Sequence, residues 1–337
     1  MGEIESTVLE PETPISVVYF GTPDYAVPSL HDLHRDPRYR VQLVCTQPDR
    51  PVGRHRLMAG PPIKIAAEEL GLPVYQPEHL RGETERAPIA NVGADVFVVA
   101  AYGIIFGRKT LALPTHGCIN LHASLLPRYR GASPVSAAIA NGDSVTGVTL
   151  MQMDSGIDTG PVFARAEVPV GKTDTTESLT RSLALTGSQL LIDSLQLVVR
   201  GLLPARLQSS EGASLTRMLV KNDGQINWSQ SAAAIERHVR AMWSWPRAWT
   251  TDGDRTLQVH RAKVHASEFS GAPGSVAGFQ GRAVVHCGSG ALLLEIVQPA
   301  GGKPMDAGAW LAGRGGRTVR LGSDEGTVSP PLVVPVP

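Results

Sequence analysis

The sequence predicts an α/β protein, a doubly wound parallel sheet followed by a small β-barrel. Three observations predict it. Short, almost wholly apolar runs alternate with helix-like segments through the first part of the chain, which is how strands covered on both faces read. Near Leu215 the pattern changes to short β-rich runs separated by Gly and Pro turns. Finally, the run N-L-H-A-S-L-L-P-R-Y-R-G-A-S-P, Asn120 to Pro134, carries far more polarity than a core strand would, and marks a strand end that enters a site.

Taken in order, Ile15 to Phe20 is the first strand, and Pro23 after its turn suits the first turn of a helix, where the missing N–H costs nothing. Val41 to Thr46 is the second strand. Pro62 to Leu70 is an amphipathic helix closed by Gly71. Pro73 to Tyr75, Ala94 to Tyr102 and Ile119 to His122 follow as strands, Ser133-Pro134 opens a helix, and Thr146 to Met153 is strand-like again. Thr176 to Val199 is a long amphipathic helix ending before Gly201. Beyond it come a helix containing Ala232 to Met242 and strands at Trp249 to Thr251, Leu257 to Val264, Ala283 to Cys287 and Ala291 to Val297. The expected organisation is a loose extension at 1–14, a first domain at 15–201, a linker at 202–215, a barrel at 216–321 and a flexible tail at 322–337.

Composition narrows the class. With 42% hydrophobic and 18% charged residues in 337, the chain has the make-up of a soluble globular protein. Its formal net charge of +0 excludes a general polycation, so any nucleic-acid surface must be a local patch. Cys45, Cys118 and Cys287 are far apart and lack metal-ligand spacing; they read as small core residues in a reducing compartment. No signal peptide and no apolar run of transmembrane length is evident, so a cytoplasmic protein with no membrane partner is expected. The first strand is followed by G-T-P-D, not G-x-G-x-x-G, and there is no P-loop, which speaks against dehydrogenases and kinases on a similar sheet.

The chemistry-bearing residues are concentrated. In an extended segment Asn120 and His122 point to one side. The turn D-S-G-I-D-T-G-P, Asp154 to Pro161, can bring a carboxylate into a cleft. Alone, its acids would be ordinary turn residues; with Asn-x-His they make an acid–base and oxyanion set. Between Thr46 and Lys64, Arg50, Arg54, Arg56 and Lys64 face the single acid Asp49 in a loop framed by Pro and Gly.

These motifs resemble the 10-formyltetrahydrofolate-dependent formyltransferases, and within them the branch acting on methionyl-initiator-tRNA. The resemblance also rests on M-Q-M-D-S-G-I-D-T-G, on F-G-T-P-D-Y-A from Phe20, on T-Q-P-D-R-P-V-G-R from Thr46, on A-A-Y-G-I-I from Ala100 and on R-A-M-W-S-W-P from Arg240. It runs from about Ile15 to about Gly313. It implies a Rossmann-like catalytic domain with an OB-like barrel; a monomer is expected, which the resemblance does not itself imply. The implied activity moves the formyl group of 10-formyltetrahydrofolate, without a metal, to the amino group of methionyl-initiator-tRNA. In that reaction Asn120 donates to an oxyanion, His122 shuttles a proton, and Asp158 orients His122 and favours its charged form, with Asp154 a turn acid. Ser124, Leu125, Leu126 and Pro127 would contact the reduced folate, and Tyr102, Gly103 and Ile104 would present main-chain groups to its ring. Arg50, Arg54 and Arg56 would meet tRNA phosphates, Arg54 foremost. The chain departs from the family after Arg54, where His55, Arg56 and Leu57 stand in place of two further cations. Two minor alternatives remain: a formyltransferase for an amino sugar or nucleotide-linked amine, and a non-catalytic folate- or RNA-binding protein.

Overall fold

The computed structural model describes residues 13–52, 57–266, 271–315, 318–322 and 330–336. Two compact units emerge: Met1–Leu126 with Gly147–Glu167 and Arg181–Gln208, and Pro127–Thr146 with Val168–Thr180 and Ser209–Pro337.

The first unit begins with β1 (Ile15–Gly21), whose apolar run is buried along almost its whole length. A turn leads into α1 (Val27–Arg35), with Pro28 in its first turn and Leu30 and Leu33 buried. Then come β2 (Tyr39–Cys45), a hairpin of β3 (Arg50–Val52) and β4 (Leu57–Ala59), α2 (Pro62–Glu69) and β5 (Val74–Tyr75). The hairpin corrects the expected irregular loop: Pro and Gly frame it, but Arg50 pairs with Ala59 and Pro51 with Met58. α3 (Glu83–Ala90) has no counterpart in the sequence reading, because Pro88 inside it removes one helical N–H and reads as a breaker. β6 (Val96–Ala100) and β7 (Cys118–His122) are fully buried, with the short α4 (Arg108–Leu111) between them.

β8 (Arg130–Gly131) and α5 (Pro134–Asn141) come next, followed by β9 (Val145–Gln152), β10 (Val162–Pro169) and α6 (Thr176–Val199). The sheet order is β10-β9-β7-β6-β1-β2-β5. The pairs β1–β2, β1–β6, β2–β5 and β6–β7 are parallel, whereas β9 runs antiparallel to β7. The expected parallel sheet is therefore present, with an antiparallel strand laid against β7. An aromatic knot of Phe20, Phe97, Tyr102 and Phe106 fills one face, ring centroids 4.9–6.0 Å apart.

By length and composition α6 is apolar enough to cross a bilayer, which the sequence reading did not register. In the fold it serves as a core helix. Leu183, Leu191 and Leu195 are buried, Ser188 donates to Asp32 at 2.6 Å, and Arg38 and Tyr39 donate to the Ile192 carbonyl.

In the second unit, β11 (Ser214–Thr216) pairs in parallel with β8, and α7 (Ala232–Ala241) is capped by Ser231, which accepts from the Ala234 N–H. The strands β12 (Trp249–Asp252), β13 (Arg255–His265), β14 (Ser275–Phe279), β15 (Arg282–His286) and β16 (Ala291–Pro299) follow. β17 (Met305–Asp306), α8 (Ala307–Ala312) and β18 (Val319–Arg320) complete this part. The order β12-β13-β16-β15-β14-β18 is antiparallel throughout. Asp252 bridges Leu321, and the Gly322 N–H donates to the Thr251 carbonyl, so the sheet closes almost into the expected barrel. The tail expected to be loose contains β19 (Val333–Pro335), which pairs antiparallel with β11; its partner lies too far away in sequence to be read locally.

Candidate active site

β7 carries the central pair because its register is fixed on both sides. Asn120 sits opposite Val99 of β6 and Met151 of β9, and His122 sits opposite Thr149. Being two residues apart, their side chains share one side of the strand. They are 9% and 7% exposed. Asn120 Nδ2 donates to Asp158 Oδ1 at 3.3 Å, and His122 Nδ1 lies 3.5 Å from Asp158 Oδ2. One carboxylate thus holds both predicted partners, each of its oxygens turned to one of them.

The loop that delivers Asp158 is built from the D-S-G-I-D-T-G-P turn. Asp154 accepts from the Gly156 N–H at 2.9 Å and from Thr159 Oγ1 at 2.8 Å, which makes it the turn acid. Asp158 itself has φ +51°, a left-handed conformation uncommon for a residue with a Cβ. At Gly160 a Cβ would come 1.9 Å from the Gln152 carbonyl oxygen, so only glycine fits.

Sequence reasoning missed the residues that hold this loop and the segment after His122. Gln208 donates its amide to the carbonyls of Asp158 and Gly160 at 2.7 and 2.8 Å. Thr149 Oγ1 donates to the Ser124 carbonyl at 2.6 Å and accepts from the Leu126 N–H, while Arg165 Nε donates to the Leu126 carbonyl at 3.0 Å. None of the three lies in a motif of charged or reactive residues; only their long-range contacts reveal them.

In the Ser124–Pro127 segment the side chains divide between full and partial burial. Ser124 is fully buried, Leu126 packs with Met151 and Val162, and both backbone groups of Leu126 are already bonded within the unit. Leu126 is a core residue, because the tight turn after His122 directs it inward. Leu125 is half-buried, over Gly147, and Pro127 is half-buried.

At the end of β6 a correction applies. The Tyr102 carbonyl accepts from Thr22 Oγ1 and Gln47 Nε2, both at 2.9 Å, and the Tyr102 ring is buried in the aromatic knot. Both carbonyl lone pairs are engaged, so Tyr102 does not present that group to a ligand. Gly103, with φ +81°, is exposed and Ile104 half-buried, leaving their main chain as the accessible part of the expected surface.

Of the predicted cations, Arg50 is exposed and donates to Gln47 Oε1 at 3.0 Å. Lys64 is bound to Asp49 at 2.7 Å, and Gln76 and Lys64 together hold the Asp49 carboxyl below the ordinary range. Arg54 and Arg56 lie outside the described residues.

Comparison with known proteins extends this geometry. The Formyl transferase family matches residues 15–195, and its partner family, Formyl transferase, C-terminal domain, matches residues 218–315. The chain belongs to the formyl transferase family. This formyltransferase is 43% identical to the methionyl-tRNA formyltransferase of Stenotrophomonas maltophilia over 310 residues, 91% of this chain and 99% of that protein. With the methionyl-tRNA formyltransferase of Sorangium cellulosum it shares 44% identity over 88% of this chain and 96% of that one. Among solved structures it is similar in fold to an N-formyltransferase from Helicobacter canadensis, with a TM-score of 0.64 and 18% identity, covering 83% and 98% of the two chains. At that identity the likeness speaks for the fold alone.

Proposed function

We propose that this formyltransferase moves the formyl group of 10-formyltetrahydrofolate to the free amino group of methionyl-initiator-tRNA, giving N-formylmethionyl-tRNA for translation initiation. The observation that carries the acceptor is the 42–44% identity to methionyl-tRNA formyltransferases over about nine-tenths of the chain. The chemistry rests on Asn120, His122 and Asp158.

The acceptor nitrogen attacks the formyl carbon, a new C–N bond forms, and the bond to the folate nitrogen breaks. One proton leaves the attacking amine and one reaches the departing nitrogen. Asn120 has two amide hydrogens; one bonds Asp158, and the second is the donor for the formyl oxygen as charge grows on it. A preorganised donor of this kind contributes about 3 kcal/mol. His122, with Nδ1 turned to Asp158, exchanges the proton between the two nitrogens through Nε2. Asp158 fixes the ring and stabilises the imidazolium that forms. Main-chain groups at Gly103 and Ile104, beyond the carboxyl end of β6, suit the flat polar edge of a reduced folate.

Acceptor recognition is assigned to the basic stretch between Thr46 and Lys64, with Arg50, Arg54 and Arg56 acting on phosphates. The enzyme works in the cytoplasm as a monomer. A formyl-transfer assay with purified methionyl-tRNA and 10-formyltetrahydrofolate, beside a panel of amino-sugar nucleotides, tests the reading. Transfer to methionyl-tRNA alone supports it, and transfer confined to the sugars replaces it with the amino-sugar alternative.

A further inference from the structure

We propose that Gln208 is a positioning residue for the reaction, and that residues Arg206–Gln208, within the segment expected to be a linker, form a clamp that holds Asp158 in its working conformation. The inference rests on the catalytic role given to Asp158 above.

Four hydrogen bonds join this short stretch to the Asp158 loop and to the start of β10 directly after it. Arg206 and Val162 exchange both main-chain bonds, each 2.8 Å long. Two residues on, the Gln208 side chain reaches the carbonyls of Asp158 and Gly160 at 2.7 and 2.8 Å. A single primary amide, with two hydrogens on one nitrogen, can span two carbonyl oxygens in this way. No other natural side chain of this length offers two such donors without a charge beside Asp158. The clamp meets the loop where the backbone is least comfortable. Asp158 adopts φ +51°, and Gly160 admits no side chain. A left-handed residue with a Cβ persists only where its surroundings over-determine it, and here the Gln208 amide supplies that constraint at the Asp158 carbonyl.

The consequence reaches the chemistry. Asp158 touches Asn120 and His122 at 3.3 and 3.5 Å, so a loop that relaxes toward an ordinary conformation withdraws the carboxylate from both at once. The Gln208 amide acts on the Asp158 and Gly160 carbonyls, so its influence on the carboxylate runs through the loop backbone. Folate affinity should be spared, because other bonds hold the segments assigned to it: Thr149 to the Ser124 carbonyl and Gln47 to the Tyr102 carbonyl.

The test uses the full-length enzyme and Gln208→Leu, which stays uncharged but loses both donors, with Gln208→Glu as a second variant that sets a carboxylate against the two carbonyls. The expected result is a fall in kcat of between about ten- and a hundredfold for Gln208→Leu. Gln208→Glu should fall at least as far, with the Kd for a folate analogue and the melting temperature near wild type. Amide hydrogen exchange over 156–162 should accelerate in both variants, a readout independent of turnover. Wild-type kcat in Gln208→Leu would overturn the proposal, as would a parallel loss of kcat, folate affinity and melting temperature, which marks a merely structural residue. If the wild-type enzyme itself formylates no methionyl-tRNA while exchange at 156–162 still responds to Gln208, the functional reading fails and the clamp stands.

Discussion

Asn120 spends one amide hydrogen on Asp158 and keeps the other for the reacting oxygen, so the two roles are coupled through a single group. Asn120→Ala should lower kcat by about a hundredfold or more while folate affinity survives, as measured by single-turnover formyl transfer and analogue titration. His122→Ala and Asp158→Ala should show comparable losses, and the double variants should lose little beyond the worse single one, because the three side chains act as a unit. Additive losses would show that they act separately. At this scale the sequence was most readable where geometry is local. The two-residue spacing on β7 and the second acid of the D-S-G-I-D turn came together as expected. The core packing of Leu126 and the bonds from Thr22 and Gln47 to the Tyr102 carbonyl were not legible, since neither leaves a mark in the nearby residues.

Among the elements, strands declared themselves when they were buried on both faces, as β1, β6 and β7 are, because an apolar run leaves few other structures open. The β3–β4 hairpin and α3 were hidden by Pro and Gly, whose local signal was overridden by pairing in one case and by packing of Ile89 in the other. α7 carries a consequence of its own. Burial pushes the His238 imidazole below its ordinary value, against the opposing pull of the Gly224 carbonyl and Asp223, and burial with Arg247 does the same to His260. Both rings are held neutral by the fold, and protonation favours unfolding. Their contribution to stability is therefore present above pH of about 6.5 and is lost as the pH falls below it. Thermal melts from pH 8 to pH 5 should show the midpoint falling on the acid side, and His238→Gln should flatten that fall. An acid limb unchanged by the substitution would remove His238 from the account.

For the whole molecule, the class, the two-part plan and the barrel were legible, since they depend on repeated patterns over long stretches. The division of residues between the compact units was not. Pro127–Thr146 and Val168–Thr180 group with the barrel's unit, through pairings such as Arg130–Gly131 with Leu215 and Thr216 that span more than eighty residues of chain. All three cysteines are buried, and burial raises their thiols, Cys118 to about 12 and Cys287 to about 11. Native protein at pH 8 should resist alkylation by iodoacetamide until denaturant is added, and rapid labelling of the folded chain would contradict the packing described. Recognition of a polyanion should also leave its mark at this scale. The KM for methionyl-tRNA should rise steeply with salt while that for the folate stays nearly level, and Arg50→Ala should flatten the tRNA slope.

The most direct measurement is formyl transfer itself, with purified enzyme, 10-formyltetrahydrofolate and methionyl-tRNA, wild type beside His122→Ala, and an amino-sugar nucleotide as the competing acceptor. The account predicts N-formylmethionyl-tRNA from the wild type, its near loss in His122→Ala with folate binding intact, and no product from the sugar. Equal turnover by the His122→Ala enzyme, or formylation of the sugar in place of methionyl-tRNA, would contradict it.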